Sequence, residues 1–189
     1  DTVKFLAGIA VSDVTFSRVP GTDDLKITIR DSDETLTVKN HFNESNRYAV
    51  EEIAFADGTL WDAEAIKSQS LLGESGNDEL LGFNERDDLI IGSAGKDELI
   101  GFSGNDTLQG GDGNDLLEGG SGSDTYRFGQ GDDQDMINEA FDTGEDVVEL
   151  LSGVTTTDVT VRWTLQGDMA ITLPDGSKLT VRGQANTWN

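Results

Sequence analysis

Apolar and polar residues alternate along the first third of the chain, the pattern of half-buried β-strands. Residues 23–30 (DDLKITIR) and 34–40 (ETLTVKN) alternate in this way on either side of residues 31–33 (DSD), which predicts a β-hairpin. Residues 50–62 alternate around Asp57 and Gly58, a favoured two-residue hairpin turn. Residues 63–72 (AEAIKSQSLL) predict one short helical turn. We therefore expect the first region to be mostly β structure.

A period of nine residues organises the middle of the chain. Six near-copies begin with glycine, carry aspartate at the sixth position and have an apolar residue at the eighth; they span residues 73–81, 82–90, 92–100, 101–109, 110–118 and 119–127. A degenerate seventh copy follows at 128–136, and Ile91 is an extra residue between the second and third copies. The eighth-position residues, predicted to face inward, are Leu80, Leu89, Leu99, Leu108, Leu117 and Tyr126. A flexible acidic linker would lack this strict period and the apolar eighth position.

The two ends of the chain repeat each other. Residues 8–16 match 153–161, residues 24–29 match 168–173, and residues 36–38 match 179–181, with offsets of 145, 144 and 143 residues. The second copy lacks a match to residues 51–61 (EEIAFADGTLW) and is therefore incomplete. We predict a flanking β module at 1–70, a central repeat domain at 71–136, and a second, incomplete copy of the flanking module at 137–189.

Composition points to cations as partners. The chain has 37 acidic and 13 basic residues, a formal net charge of −24 and a pI near 4.1. This balance argues against nucleic acid as a partner and against anionic membrane surfaces, so we expect neither. The absence of cysteine excludes disulfides and thiolate metal sites. No apolar run is long enough to span a bilayer, so we expect no membrane insertion by these residues.

We identify no catalytic residue. The sequence contains no HExxH, GxSxG or GxxxxGK[ST] motif and no EF-hand spacing. His41, the only histidine, is interpreted as an ordinary loop or surface residue, and the tryptophans as core or module-contact residues. The prediction is therefore a protein that is not an enzyme.

The nine-residue repeats resemble the RTX nonapeptide family, G-G-x-G-x-D-x-U-x, which forms a calcium-binding parallel β-roll. The resemblance implies an all-β fold, a right-handed β-solenoid loaded with calcium. Carboxylates and carbonyls are the hard oxygen donors that Ca²⁺ prefers. The implied carboxylate ligands are Asp78, Asp87, Asp97, Asp106, Asp115, Asp124 and Asp133. The implied loop donors are Gly73, Ser75, Gly76, Gly92, Ala94, Gly95, Gly101, Ser103, Gly104, Gly110, Gly111, Asp112, Gly113, Gly119, Gly120, Ser121, Gly122 and Gly131.

Each repeat is half a coil of such a roll, so alternate loops stack on the same edge. One edge is expected to carry Asp78, Asp97, Asp115 and Asp133, and the other Asp87, Asp106 and Asp124. One ion between each pair of adjacent loops gives about five ions in all. Without calcium we predict that the tract is disordered, because its inward apolar residues are few and its acidic residues repel one another.

Three features depart from the regular pattern or go beyond it. Glu85 stands where glycine normally takes the turn, which makes the Asp87–Asp106 site irregular. Asp135 stands where an inward apolar residue belongs, so the roll is expected to end there. The ninth position is apolar in early repeats (Leu81, Ile90, Ile100) and polar later. Because outward residues are polar unless covered, we predict that a flanking module packs on the first turns of the roll.

The flanking copies resemble the haemolysin-type calcium-binding related modules that alternate with nonapeptide tracts in large secreted bacterial proteins. Together the resemblances imply a calcium-binding module exported by a type I secretion system and located outside the cell or at its surface. The implied function is calcium-triggered folding and rigid spacing, with calcium and neighbouring modules of the same polypeptide as partners. Two alternatives stay open: the ligand- or carbohydrate-binding part of an RTX adhesin, and an accessory domain of a secreted enzyme.

Overall fold

A computed structural model describes residues 1–32, 34–43, 49–138 and 144–182. Within these ranges the chain is almost entirely β structure, with one α-helix. It separates into two compact units, residues 1–72 and 73–189. The sequence predicts a separate module at 137–189, but the strands described within it share sheets with the central repeats in the second unit.

The alternating segments of the first unit form a three-stranded antiparallel sheet. Strand β2 covers Val14–Arg18, β3 covers Leu25–Ile29 and β4 covers Thr35–Val38, in the spatial order β2-β3-β4. Leu25 and Ile27 are fully buried, as alternation predicts for the inner face of such a sheet. The predicted hairpin between β3 and β4 is therefore confirmed.

A second sheet in this unit contains β1 (Thr2–Lys4), β5 (Glu52–Ala54) and β6 (Leu60–Asp62). Strand β1 pairs with β5 in parallel, and β5 pairs with β6 through the predicted Asp57-Gly58 turn, where Gly58 has φ of 94°. The left-handed φ at this position favours glycine. Helix α1 (Ala63–Gln69) follows, and the side chain of Asp62 accepts a hydrogen bond from the Ala65 N–H at its N-terminus.

Aromatic side chains pack together in the first unit beside its aliphatic core residues. The Trp61 ring lies 5.0 Å from that of Phe16 and 5.1 Å from that of Phe55, both in edge-to-face geometry. His41 is buried, and its Nδ1 accepts a hydrogen bond from the Val50 N–H at 3.1 Å. Burial lowers the pKa of His41 to about 4. His41 is thus a loop residue, one of the two positions that the sequence suggests, but it is buried and does not lie at the surface.

The central repeats form a parallel β-solenoid of about four turns. One sheet contains β7 (Glu79–Leu81), β9 (Glu98–Ser103), β11 (Leu116–Ser121) and β13 (Gln134–Ile137). The other contains β8 (Leu89–Gly95), β10 (Thr107–Gly113), β12 (Thr125–Phe128) and β14 (Val147–Leu150). All these strands pair in parallel with the strand two places away along the chain. This confirms the β-roll with alternate loops on alternate edges.

One buried residue per repeat fills the interior of the roll. The inward residues of the first seven roll strands are Leu80, Ile90, Leu99, Leu108, Leu117, Tyr126 and Ile137, each at most 5% exposed. Leu89, predicted to face inward, is 46% exposed, and Ile90 occupies its place. The sequence register was wrong here because the extra residue lies in the loop before Asp88 and not at Ile91. Ile90 therefore does not support the prediction that outward apolar residues are covered by a module.

The roll does not end at the seventh repeat. Asp135 lies in β13, two residues before the inward residue Ile137, and β14 adds a further strand to the second sheet. The chain then forms the antiparallel strands β15 (Thr160–Trp163), β16 (Met169–Thr172) and β17 (Lys178–Val181). Strand β17 pairs in parallel with β13, so this meander continues the first sheet of the roll.

Candidate metal centre

Two rows of stacked aspartates run along the roll, one on each edge. We call them the first aspartate column, Asp78, Asp97, Asp115 and Asp135, and the second aspartate column, Asp88, Asp106, Asp124 and Asp146. In both columns the backbone N–H of each aspartate donates to Oδ1 of the next, at distances of 2.7–3.0 Å. Each carboxylate is thus fixed by the coil stacked on it.

The second carboxylate oxygens of the columns are buried. Asp97 and Asp106 are 1% exposed, and Asp115 and Asp135 are 3% exposed. The Oδ2 atoms of these four side chains are inaccessible to solvent and have no hydrogen-bond partner. A buried anionic oxygen without a donor is strongly unfavourable unless a cation lies beside it.

Burial makes these carboxyl groups weak acids in the absence of a cation. Desolvation, reinforced by the neighbouring aspartates and only partly opposed by the backbone hydrogen bond, raises the pKa of Asp106 to about 7 and that of Asp135 to about 8. The same causes raise the pKa of Asp115 to about 6. A site that shifts several carboxyl groups toward the protonated form also favours any cation that can replace the proton.

A second ladder of side chains, one residue before the columns, has a different role. The Oδ1 atoms of Asn77, Asp87, Asn105 and Asn114 accept loop N–H groups from the next coil, at 2.7–3.0 Å. Asp87, predicted to be a column member, lies in this ladder with the asparagines. Asp88 takes the column position, and its Oδ2 accepts the Phe83 N–H at 2.7 Å.

Asp133 is also displaced from its predicted place. Its side chain is exposed, its φ is 52°, and its carbonyl accepts the Lys178 N–H at 2.7 Å. The loop before β13 is longer than in the regular repeats, so Asp135 reaches the column instead. Asp88, Asp135 and Asp146 were missed by sequence reasoning, although each stands two residues before an apolar residue, as the regular column members do.

The predicted loop donors lie in stacked turns on the two edges. One edge holds Gly73, Ser75, Gly76, Gly92, Ala94, Gly95, Gly110, Gly111, Asp112, Gly113 and Gly131; the other holds Gly101, Ser103, Gly104, Gly119, Gly120, Ser121 and Gly122. The Gly76 N–H donates to the Ala94 carbonyl at 2.6 Å, and the Gly104 N–H to the Ser121 carbonyl at 3.0 Å.

Glycine is required in these turns by close approach as well as by conformation. Gly113 has φ of 137°, and a Cβ atom there would overlap the carbonyl oxygen of Gly95 on the neighbouring coil. Gly122 has φ of 138° and is equally close to the Gly104 carbonyl. The absence of Cβ atoms therefore lets loop carbonyls of adjacent coils lie side by side, next to the aspartates.

The donor set suits a hard cation held jointly by side chains and backbone. In the part of the chain that the structure describes, no cluster of three or more Asp, Glu, His or Cys side chains is arranged to hold a metal by itself. Carbonyl oxygens of the loops lie next to the column carboxylates, as the Gly92 carbonyl does beside Asp78 Oδ2 at Gly73, and offer further oxygen donors. Such an all-oxygen set fits Ca²⁺, which accepts six to eight oxygen ligands in variable geometry.

A parallel β-roll with stacked acidic turns defines a class of calcium-binding repeat proteins, and family comparison agrees. The model of the RTX calcium-binding nonapeptide repeat matches residues 72–101, 84–108 and 100–135. The model of the haemolysin-type calcium binding protein related domain matches residues 24–65. Residues 72–135 therefore carry RTX calcium-binding nonapeptide repeats, as the sequence resemblance implies.

Solved structures of similar chains include two solution structures from Azotobacter vinelandii. The AlgE6R3 subunit of mannuronan C5-epimerase is 26% identical, with 62% of this chain and 77% of that chain covered and a TM-score of 0.45. The AlgE6R2 subunit is 25% identical, with 63% and 88% covered and a TM-score of 0.46. The extracellular lipase LipA from Serratia marcescens is 18% identical, with 95% and 31% covered and a TM-score of 0.47. No curated protein matches the chain. Among the described residues, no helix has the length and apolar character needed to cross a membrane.

Proposed function

We propose that this chain is a non-catalytic calcium-binding module of a secreted RTX protein, and that its roll folds when calcium binds. The observation that carries the proposal is the set of buried aspartate oxygens without a hydrogen-bond donor in the two columns. These oxygens make the folded roll unfavourable while they are charged and uncompensated. A chain built in this way stays unfolded at low calcium and folds when calcium is abundant.

The column aspartates and the loop carbonyls are the groups that would hold the ions. A bound calcium ion supplies positive charge that compensates the carboxylates of adjacent coils. Asp97 and Asp115 on one edge, and Asp106 and Asp124 on the other, are the central members of the columns. The backbone N–H bonds to their Oδ1 atoms orient them, which leaves Oδ2 directed toward the leading glycine of the same repeat.

About five ions is our proposed stoichiometry, with one ion between each pair of adjacent loops. The second aspartate column extends through Asp146, but the loop before it includes residues 139–143, which lie outside the described residues. We therefore do not count a sixth ion. Extracellular calcium modules bind at about 10⁻⁴ to 10⁻³ M, so calcium outside the cell would act as the folding signal after type I secretion. The module would then serve as a rigid spacer between neighbouring modules of one polypeptide.

Calcium titration of the full chain, followed by circular dichroism, tests this function. The β signal should rise cooperatively with calcium, whereas equal concentrations of magnesium should have little effect because Mg²⁺ loses its water reluctantly. Isothermal titration calorimetry should give about five ions per chain. A β signal that is already complete in EDTA, or that magnesium induces equally well, would refute the proposal.

A matched pair of variants assigns the ligands. Asp106→Asn keeps an oxygen that can accept the Asp88 N–H but replaces the buried anionic oxygen, so calcium affinity should fall about tenfold or more. In EDTA the same change should not destabilise the chain, since it removes a buried charge. Asp87→Asn should leave calcium binding unchanged, because asparagine already occupies the equivalent position at Asn77 and Asn105. Equal effects of the two substitutions would contradict the column assignment.

A further inference from the structure

The two flanking copies correspond over a longer stretch than their most similar segments. Residues 1–16 (DTVKFLAGIAVSDVTF) align without a gap to residues 146–161 (DVVELLSGVTTTDVTV). The local geometry agrees: the Ala10 N–H donates to Asp13 Oδ2 at 2.8 Å, and the Thr155 N–H to Asp158 Oδ2 at 2.9 Å. With the matching ladders of β2-β3-β4 and β15-β16-β17, this alignment makes β1 the equivalent of β14 and β4 the equivalent of β17.

In the second copy these two strands are the ones that join the roll. Strand β14 pairs with β12, with the Val147 N–H donating to the Asp124 carbonyl at 2.8 Å and the Leu151 N–H to the Phe128 carbonyl at 2.9 Å. Strand β17 pairs with β13, with the Lys178 N–H donating to the Asp133 carbonyl at 2.7 Å. The second copy therefore caps both sheets at the end of the roll.

In the first copy the equivalent strands lie at sheet edges. Among the described residues, β1 is the outer strand of β1-β5-β6 and β4 is the outer strand of β2-β3-β4. The Phe5 N–H donates to the Ala54 carbonyl of the neighbouring strand β5, and the Glu34 carbonyl accepts the Ile29 N–H of β3. Backbone groups alternate in direction along a strand, so the N–H groups of Thr2 and Thr35 point away from their own sheets. These residues are the equivalents of Val147 and Lys178, which donate to the roll.

Side-chain exposure differs between the copies in the way that a missing partner would produce. Leu36 on β4 is 45% exposed, whereas its equivalent Leu179 on β17 is fully buried. Leu6 is 74% exposed, whereas its equivalent Leu151 is half-buried and packs against Gly129 of the roll. Beside β1 and β4, the first unit has an open groove of about 380 Å³ lined by Phe5, Ile27, Ile29, Glu34, Thr35 and Leu36.

We propose that β1, β4 and this groove form a docking surface for the terminal coil of a nonapeptide β-roll that is joined to the chain directly ahead of Asp1. The last two strands of that roll would pair with β1 and β4, as β12 and β13 pair with β14 and β17. Asp1 would extend one aspartate column of that roll, as Asp146 does when its Oδ1 accepts the Asp124 N–H at 3.0 Å. We take the end of a roll as the partner because, in the same polypeptide, the second flanking copy pairs with the last strands of the central roll.

The chain's own repeats supply the probe. Residues 73–145 are fused directly ahead of Asp1 in the complete chain, so that the new junction, Glu145 followed by Asp1, reproduces the natural sequence Glu145-Asp146. In calcium, amide hydrogen exchange at Thr2 and Thr35 should become at least about tenfold slower in the fusion than in the parent chain. Unchanged exchange at both amides would overturn the proposal. Slow exchange at Thr35 in the unfused chain that depends on concentration would overturn it too, because a second copy would then be the occupant.

Side-chain variants provide the matched control. Leu36→Asp places a charge in the proposed interface and should raise the calcium midpoint of the added roll by about threefold in the fusion, with no effect in the parent chain. Leu60→Asp changes a leucine of similar exposure, 58%, on β6, which lies at the edge of its sheet opposite β1, and should have no effect in either protein. Equal behaviour of the two variants in the fusion would refute the docking surface. The docking surface depends on the proposed function only because the added roll must fold in calcium. Whether calcium drives folding is measured separately on the chain's own roll.

Discussion

The register of the irregular second repeat makes a sharp prediction about two neighbouring apolar residues. Leu89 is the inward residue by the nine-residue count, but the structure places Ile90 inside at 0% exposure and leaves Leu89 46% exposed. Ile90 pairs with Leu108 along the inner row of the roll. Ile90→Ala and Leu89→Ala remove similar volumes, so the difference between their effects reports which side chain fills the interior.

The expected magnitudes follow from burial. Truncation of a fully buried isoleucine to alanine costs about 2 to 5 kcal/mol, and we take about 3 for Ile90 because its neighbours are fixed by parallel strands on one side only. A cost of about 3 kcal/mol changes the folding constant by roughly 160-fold. If about five ions bind on folding, the calcium midpoint rises by the fifth root of that factor, or about 2.8-fold. For Leu89→Ala, about 1 kcal/mol gives a rise of about 1.4-fold.

Circular dichroism during calcium titration at constant ionic strength measures both midpoints. A larger shift for Leu89→Ala than for Ile90→Ala would mean that the nine-residue register is correct and the described register is wrong. Equal shifts would mean that neither side chain fills the interior. The comparison stays valid if both variants fold less well, because only the order of the midpoints decides.

Three further predictions concern the turns and the titrating groups. Gly113→Ala should lower the stability of the folded roll by about 3 kcal/mol and raise the calcium midpoint, because the new Cβ meets the neighbouring coil. Gly176→Ala, at φ of 98° with open space around it, should lower stability by only about 1 kcal/mol. Equal calcium midpoints for the two variants would contradict the stacking of the loops. In EDTA the roll should gain β signal as pH falls, because the pKa values of Asp106 and Asp135 are raised to about 7 and 8 in the folded roll. Protonation of these two groups stabilises the folded roll fully below their pKa in the unfolded chain, near 4, and this stabilisation is lost as pH rises through 7 to 8. A flat circular dichroism profile from pH 8 to 5 would contradict this. The first unit should respond in the opposite direction, because burial lowers the pKa of His41 to about 4 and the stability of this unit therefore falls as pH drops from about 6.5 toward 4. Amide exchange resolved by region and corrected for intrinsic rates should show faster opening of residues 1–72 at pH 4.5 than at pH 7.

Local pattern predicted the elements of the first unit and the class of the second. The DSD and Asp57-Gly58 turns lie between strands that pair as expected, because alternation and turn chemistry act over a few residues. The roll was predictable because the same short unit recurs six times. The parallel pairing of β1 with β5 was not predictable, since nothing local specifies a partner fifty residues away.

The burial of His41 was missed for a similar reason. A single polar residue between a strand and a loop carries no periodic signal, and its hydrogen bond to the Val50 N–H depends on tertiary structure. Likewise, the sequence repeat between the flanks predicted a second meander but not that β17 would pair with β13 of the roll. Which edge a β meander presents to a neighbour depends on the whole assembly and not on its own alternation.

The errors at Asp87, Leu89 and Asp133 have one physical origin, and it identifies the unit that the roll requires. The length of the loops between coils is only weakly constrained, because one or two extra residues in an exposed turn add little to the entropy cost of closing it. The pairing of the roll strands cannot shift in the same way, since a slip of one residue would turn the inward side chain outward. An aspartate two residues before an inward apolar residue is therefore the constant element, whereas the count of nine is only its commonest spacing. Asp88 with Ile90 and Asp135 with Ile137 satisfy this rule across both irregular loops, and Asp146 with Val148 satisfies it again in the last strand of the roll.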